Sequence, residues 1–310
     1  MKFKFFVFGI ATWVPGVFKL FAKPTGGTSS ARYCYSVWLR HLVRLHSQGV
    51  RGVPSYVAEL GPGDSLGVGL AALISGSDRY TAVERHKYCS QEQNLLIFEE
   101  LIELFKNRAP IPDDDEFPRM RPSLDTYDFP SEILTEETMQ VVLAQERIQK
   151  LRNAFTDNLN NSHVEYVLSW ESTERHGGKY DLVLAQSVME YVDDLQDTYK
   201  TICRVLKKGG YATFVIDYTA HHLSKRWDEH WTYSDLLWKC LRGRQPYFLN
   251  RKTHSLHEKK IKKAGLKVVF SERTLREPSI RRSELSKKYH KLPPKDFETS
   301  GGFFIAVSKE

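Results

Sequence analysis

The sequence predicts an α/β fold built on a mostly parallel, doubly wound sheet, and three observations carry that prediction. Short apolar segments suited to strands recur at 56–60, 80–84, 164–168, 181–185 and 211–217. Stretches with helical spacing, near 66–75, 90–107 and 194–206, lie between or after them. The first strand runs straight into a glycine turn, Glu59-Leu60-Gly61-Pro62-Gly63, which leads into a helix. Strands that alternate with helices are joined by right-handed crossovers, and such crossovers make neighbouring strands parallel.

Taken in order, residues 1–50 form an N-terminal apolar segment and a helix ahead of the main domain, which occupies 51–310. The first 23 residues carry an apolar run too short to span a bilayer and interrupted by Pro15-Gly16, with no small-x-small cleavage site after it. A packed segment, or a shallow membrane-surface contact flanked by Lys2, Lys4, Lys19 and Lys23, is expected rather than a signal peptide. Pro24 to Ser30 reads as a loop. Over 31–48, Tyr35, Trp38, Leu39, Leu42, Val43 and Leu45 recur at helical spacing and predict an amphipathic helix. Residues 108–156 are an insertion between the second and third strands. It opens with a loop at 108–130 that holds five prolines and the acidic run 113–116. A helix near 131–156 follows, with Ser131 as its N-cap. A loop this long suits either a lid or a surface elaboration. Lys267 to Phe270 and Phe303 to Val307 read as two further strands, and the basic segment 271–300 between them belongs to the substrate side.

Bulk properties narrow the class. The chain has 310 residues, 41% hydrophobic and 27% charged, enough to bury a substantial core. Four scattered cysteines with no Cys-x-x-Cys pair argue against a disulfide framework or structural zinc, and so for a reduced, cytoplasmic setting. The net charge of +7 is uneven: residues 240–310 hold 18 Lys/Arg against 7 Asp/Glu. Such a segment can meet anionic substrates, lipid headgroups or nucleic acid, or be an ordinary solvated surface.

The glycine turn narrows the ligand. Glu84 ends the second strand about 20 residues on, the spacing at which a carboxylate accepts hydrogen bonds from ribose hydroxyls. A dinucleotide site would want a third glycine where Leu66 stands, and Glu59 would repel a pyrophosphate. An acid before the turn suits a cationic amine, so the cofactor that combines adenosine, an amine and no phosphate is S-adenosylmethionine (SAM). At this point the chain resembles the class I SAM-dependent methyltransferases. The acid-x-Gly-x-Gly motif stands as Glu59-Leu-Gly61-Pro-Gly63, the second-strand acid as Glu84, and the fourth-strand pattern as Tyr180 to Gln186. The helix-to-fifth-strand signature stands as Arg204 to Tyr211. The resemblance covers roughly 55–217 and implies a Rossmann-like, seven-stranded sheet with an antiparallel last strand. It implies cofactor contacts from Glu59, Gly61, Pro62, Gly63, Asp64, Glu84, Arg85, Gln186 and Ser187. Two positions depart from it: Ser65 replaces a frequent glycine, and Ser169-Trp170-Glu171 replaces an aspartate after strand three, leaving Trp170 to stack on the purine or Glu171 to accept its amine. The tail, with Trp231 to Trp238, Asn250-Arg251 and Lys262 to Leu266, is similar to methyltransferases of bacterial polysaccharide and cell-surface glycan clusters.

The expected reaction is methyl transfer by in-line displacement to a small-molecule acceptor, a hydroxyl of a saccharide or related metabolite, free or lipid-linked. A hydroxyl must lose its proton as it attacks, and an imidazole or carboxylate can take it. Residues after the fourth and fifth strands supply the candidates: His221 or His222 as base, Asp217 to orient or polarise it, and Glu190, which can equally cap the helix at 194. No spacing among these residues fits a zinc site, so no metal is expected. Trp231, Tyr233, Asn250 and Arg251 are the candidate acceptor contacts, with most aromatics of 227–248 assigned to the core. The alternative is a nucleic-acid-binding or RNA-modifying methyltransferase that uses the basic C-terminal third, although no recognition motif accompanies that charge. A third reading is a membrane-surface scaffold that keeps the fold without catalysis. The oligomeric state is not legible.

Overall fold

The computed structural model describes residues 3–14, 28–85, 89–156, 161–169, 177–245 and 247–309. Seven strands form one sheet: β1 (Tyr56–Leu60), β2 (Arg79–Val83), β3 (Val164–Val167), β4 (Tyr180–Gln186), β5 (Leu206–Asp217), β6 (Leu266–Leu275) and β7 (Thr299–Ser308), in the order β3-β2-β1-β4-β5-β7-β6. Every pairing from β3 across to β5 is parallel, and β7 runs antiparallel to both of its neighbours. The strand order reverses between β1 and β4, which opens a crevice at their carboxyl ends. All five residues of β1 are buried, as befits a central strand with both faces covered.

One face is covered by α2 (Ala31–Ser47), α3 (Gly67–Ser75) and α4 (Gln91–Lys106), and the other by α7 (Leu195–Val205) and α9 (His254–Lys263). Helix α4 starts where Ser90 Oγ accepts from Gln93 N at 3.1 Å, and it buries Ile97, Phe98, Leu101, Ile102 and Phe105 along one stripe. Helix α3 lies close against the sheet because Gly69 has no side chain; a Cβ there would come within 2.1 Å of the Tyr80 ring.

Helix α1 (Phe3–Ala11) packs on α8 (Asp235–Arg242): a Cβ on Gly9 would meet the Cys240 and Leu241 carbonyl oxygens at 2.3 Å. Arg244 N donates to Thr12 Oγ1 at 2.9 Å and closes the contact. Val7, Ile10, Trp13 and Val14 remain exposed on its outer side. Among the described residues no helix is long and apolar enough to cross a membrane.

Several sequence-level boundaries move. The helix expected over 131–156 is two helices, α5 (Glu136–Val142) and α6 (Gln145–Thr156), and the cap is Thr135, whose side chain accepts from Thr138 N, rather than Ser131. Glu136 and Glu137 then fall in the first turn, where the helix dipole favours acids. Strand β5 starts five residues early, at Leu206, because residues between Leu206 and Tyr211 bulge out while β4 advances only from Tyr180 to Leu182. Segment 271–300 resolves into the second half of β6, a 3-10 turn at Arg282–Glu284, the short helix α10 (Pro294–Phe297) and the start of β7. The aromatics of 227–248 other than the half-buried Tyr247 are core, Trp231 and Tyr233 included: Trp231 is fully buried with Trp227, Ile280, Leu285 and Tyr289, and Tyr233 packs with Trp238 and Phe248.

Candidate active site

The carboxyl ends of β1, β2, β4 and β5 converge on one side of the sheet. After β1, Gly61 and Gly63 take φ of +64° and +75°, the left-handed region that glycine enters without steric cost. Gly61 is also covered: a Cβ there would lie 2.6 Å from Val188 Cγ2. Ser65 is not in that region and its side chain is put to use. Its hydroxyl donates to the Thr28 carbonyl and accepts from Gly67 N at 3.1 Å. Thr28 Oγ1 accepts from Ser65 N at 2.9 Å and donates to the Pro62 carbonyl at 2.8 Å. Asn94 Oδ1 accepts from Leu66 N at 2.9 Å. Thus the start of α3 is capped by side chains, and Pro62 is tied down from the loop before α2. Asp64 is partly exposed on the turn.

Glu59 is 2% exposed, and its Oε2 accepts from Tyr80 OH at 2.6 Å. Burial pushes its carboxyl up to about 8, with the Tyr80 hydrogen bond opposing and the charge of Glu84 adding. It lies within the layer beneath α3 rather than on the open crevice. Glu84 stands beyond β2, half-exposed, with Oε1 accepting from Arg85 N at 2.8 Å and from Tyr247 OH at 3.4 Å. Arg85 is exposed beside it. Gln186 Oε1 and His41 Nε2 are 3.0 Å apart, and His41 Nδ1 reaches Thr213 Oγ1 at 2.8 Å. Burial lowers the His41 imidazole to about 4, so it stays neutral and holds Gln186 by a hydrogen bond. Ser187, at φ +55°, turns the chain out of β4, and its N donates to the Val215 carbonyl at 2.9 Å. Trp170 and Glu171 lie outside the described residues.

A cavity of about 690 Å³ opens beyond β4 and β5, within the range of small-molecule sites. Ser187 lines it while the adjoining Val188 covers Gly61, so these two residues stand between the glycine turn and the cavity. Asp217, His221 and His222 are on its wall. Asp217 Oδ2 lies 3.4 Å from His221 Nε2, Asp217 Oδ1 accepts from Thr219 N at 2.7 Å, and Tyr191 OH is 2.9 Å from His221 Nδ1. Burial lowers the His221 pKa, the Asp217 charge opposes this, and His222 and Arg119 add to the lowering. The imidazole is therefore neutral near pH 7, as a proton acceptor must be. His222 is exposed on the rim.

Glu190 does not cap the helix at 194; Asp194 does, accepting from Asp197 N at 3.0 Å. Glu190 is 3% exposed and neither carboxylate oxygen meets a hydrogen-bond donor. Burial, and then the charge of Asp217, raise its pKa well above the carboxylate range, so it is a neutral acid behind the cavity. The four candidate acceptor contacts are engaged with the chain itself. Trp231 and Tyr233 are core. Asn250 Nδ2 donates to the Met189 and Val192 carbonyls at 2.8 and 2.9 Å, which holds the 3-10 turn after β4. Arg251 lies over the Trp238 ring at 4.4 Å, donates to the Tyr233 carbonyl at 2.7 Å and pairs with Asp235 at 2.7 Å.

Residues that sequence reasoning passed over complete the cavity: Arg119 and Arg121 from the insertion, Lys225 from the turn after β5, and Arg276 just beyond β6. The Pro118-Arg-Met-Arg-Pro122 segment carried the only visible signal, prolines that fix a short basic loop. Its base is anchored by Arg40, whose fully buried side chain pairs with Asp114 at 2.9 Å and donates to the Pro112 and Pro122 carbonyls at 2.8 and 3.0 Å.

Residues 89–269 match a family model described as "Methyltransferase domain". No curated protein matches the chain. Similar solved structures include a SAM-dependent methyltransferase from Methanosarcina mazei, 11% identical with a TM-score of 0.45 over 86% of this chain and 97% of that one. They also include phosphoethanolamine N-methyltransferase 2 of Haemonchus contortus in complex with S-adenosyl-L-methionine, 14% identical with a TM-score of 0.43. That match takes in 91% of this chain and spans 58% of the length of the Haemonchus protein.

Proposed function

The chain belongs to the methyltransferase-domain family matched over 89–269, and from that premise we propose that it methylates a hydroxyl of a small acceptor, a saccharide or related metabolite, seated in the cavity beyond β5. The observation that carries this reading is the Asp217–His221–Tyr191 chain on the cavity wall, separated from the glycine turn by only Ser187 and Val188.

SAM supplies a methyl group on a sulfonium, which a nucleophile displaces in line to leave a neutral thioether. The residues present fit it. Gly61 and Gly63, both at left-handed φ, turn the chain sharply after β1 without side chains of their own, and the half-exposed Glu84, with Arg85 beside it, stands just beyond β2, where ribose hydroxyls belong. Glu59 lies behind the turn as an acid whose ionised form a nearby ammonium favours. Gln186, held by His41, and Ser187 form the floor towards the acceptor. For Trp170 and Glu171 the purine contact stands as an expectation.

On the acceptor side, the hydroxyl proton passes by way of the half-exposed Asp217 carboxylate to Nε2 of neutral His221, buried 3.4 Å behind it, as the oxygen attacks the methyl carbon, and the Asp217 carboxylate then stabilises the imidazolium that forms. Tyr191 holds Nδ1 and so fixes the ring plane. His222, open on the rim, is the second candidate for this proton. Glu190 is a positioning residue: its neutral side chain excludes water behind Asp217, and its carbonyl accepts from Asn250 N at 2.7 Å. Trp231, Tyr233, Asn250 and Arg251 act from behind the wall, holding the segments that form it. The insertion serves as a lid in which only the Pro118–Arg121 tip meets the cavity. The apolar outer side of α1, with Val7, Ile10, Trp13 and Val14, supports a peripheral membrane-surface contact, which loss of liposome co-sedimentation on deleting residues 1–14 would confirm.

The test is transfer of labelled methyl from SAM to a panel of free sugars, sugar phosphates, nucleotide sugars, glycans, lipids and small RNAs. Label on a hydroxyl compound, lost in His221→Asn and reduced but still measurable in Asp217→Asn, supports the reading. Label confined to RNA, with a steep salt dependence, replaces it with the nucleic-acid alternative.

A further inference from the structure

We propose that the acceptor carries a phosphate group, as a sugar phosphate or a sugar joined to a diphosphate, and that Arg119, Lys225 and Arg276 bind it at the mouth of the cavity. The proposal rests on the hydroxyl-acceptor reading above and names the class of acceptor.

Positive charge outweighs negative around the cavity. Arg119, Arg121, Lys225 and Arg276 line the cavity, and Asp217 is the sole acid among the described residues that line it. Several arginines elsewhere are paired, Arg32 with Glu116, Arg152 with Glu99, Arg226 with Glu284 and Arg273 with Asp296, all within 3 Å, while others such as Arg147 and Arg282 are taken up by backbone carbonyls. Among the described residues none of the four cations at the cavity has a carboxylate within 4 Å. Arg121 is committed instead to the Met120 carbonyl at 2.7 Å and Thr274 Oγ1 at 3.2 Å, which leaves its charge uncompensated. Arg119, Lys225 and Arg276 are exposed at the rim.

These cations come from three separate segments, the insertion tip, the turn after β5 and the end of β6. A local basic run therefore does not explain their meeting. Like charges held together self-repel, and a bound anion relieves this. A phosphate dianion offers three acceptor oxygens, which matches several converging guanidinium and ammonium donors better than a carboxylate does. The cations ring a cavity instead of forming a track across the surface, which favours one compact phosphate or diphosphate over a polynucleotide backbone. Trp227, buried behind the same wall with the Arg276 guanidinium 5.9 Å from its ring, backs the phosphate site.

The test titrates the full chain, with and without saturating S-adenosylhomocysteine, with glucose 1-phosphate, UDP-glucose, glucuronate and glucose. The proposal expects both phosphorylated probes to bind, more weakly as salt rises, with glucose not binding and glucuronate at least about tenfold weaker than glucose 1-phosphate. Tighter binding of UDP-glucose than of glucose 1-phosphate assigns the diphosphate form, and the reverse assigns the monophosphate. Arg119→Ala and Arg276→Ala should each weaken the phosphorylated probes by about tenfold, and leave S-adenosylhomocysteine affinity unchanged. Equal binding of phosphorylated and neutral sugars, failure of the phosphorylated probes to bind a chain that takes S-adenosylhomocysteine, or unchanged affinity in both arginine variants would overturn the proposal. Failure to bind S-adenosylhomocysteine counts against the methyltransferase reading instead, and the titrations without it still decide the phosphate site.

Discussion

Ser65 offers a quantitative test of how the glycine turn is held. The residue is 1% exposed, and its hydroxyl makes two buried hydrogen bonds, to the Thr28 carbonyl and from Gly67 N. Ser65→Ala removes both, leaving the buried Gly67 N without a partner and the Thr28 carbonyl with only the weak Cys34 thiol donor at 3.6 Å. At about 1–1.5 kcal/mol for each bond, the cost is about 2–3 kcal/mol. Ser65→Gly introduces the residue that the family resemblance leads one to expect at this position, yet it should be the worse variant. The backbone at 65 is not left-handed, so glycine brings no relief there and adds about 0.5–1 kcal/mol of backbone entropy to the same loss. Urea unfolding at pH 7.5 should rank the midpoints wild type, then Ser65→Ala, then Ser65→Gly, with S-adenosylhomocysteine affinity falling in the same order. A Ser65→Gly variant as stable as wild type would refute the account of the turn.

Further outcomes follow from the same geometry. Gly69→Ala drives a Cβ to within 2.1 Å of the Tyr80 ring, so it should lower stability by about 1–3 kcal/mol in a thermal melt despite alanine's better helix propensity. Glu59 has a folded pKa raised to about 8 by burial, above its unfolded value of 4.5, so its contribution is full below pH 4.5 and is lost as pH rises towards 8. Between pH 5.5 and 7, well inside the window between 4.5 and 8, wild type should lose about 1.4 kcal/mol per pH unit relative to Glu59→Gln, a comparison in which the titration of other groups cancels; parallel curves would contradict the burial argument. The rate of methyl transfer should fall on the acid side below pH 6.5, because protonated His221 cannot accept a proton. Asp217→Asn should move that limb to still lower pH, since the carboxylate is what holds the His221 pKa up.

The sheet was legible because each parallel strand is a short apolar run bounded by turn residues, and β1, β2 and β4 fall within a residue of where patterning places them. The start of β5 was not, because Gly209-Gly210 reads as a loop signal while the bulge keeps Leu206 paired with Tyr180. The break between α5 and α6 escaped for a related reason: Leu143-Ala144 carries no helix-breaking residue, and the interruption is set by packing. At the site, the strand-end positions of Gly61, Glu84, Ser187 and Asp217 were readable, since the strands that carry them were. The Tyr191–His221 contact spans 30 residues and leaves no spacing signature. Arg251 shows the opposite failure. A loop arginine in a tail rich in aromatics looks like a ligand contact, yet its side chain lies on Trp238 and pairs with Asp235. The cavity's cations were hidden too, because Arg119 follows an acidic run and only the fold brings it to Arg276.

The central claim is that the β1 turn and Glu84 form a SAM site. Calorimetric titration of the full chain with SAM and S-adenosylhomocysteine tests it most directly, with Gly61→Ala, whose Cβ would lie 2.6 Å from Val188 at a left-handed φ, and Glu84→Ala as controls. The account predicts saturable binding of both ligands to the wild type and at least about tenfold weaker binding in each variant. A folded wild-type chain that gives no binding signal with either ligand, or variants that bind as tightly as wild type, would contradict it.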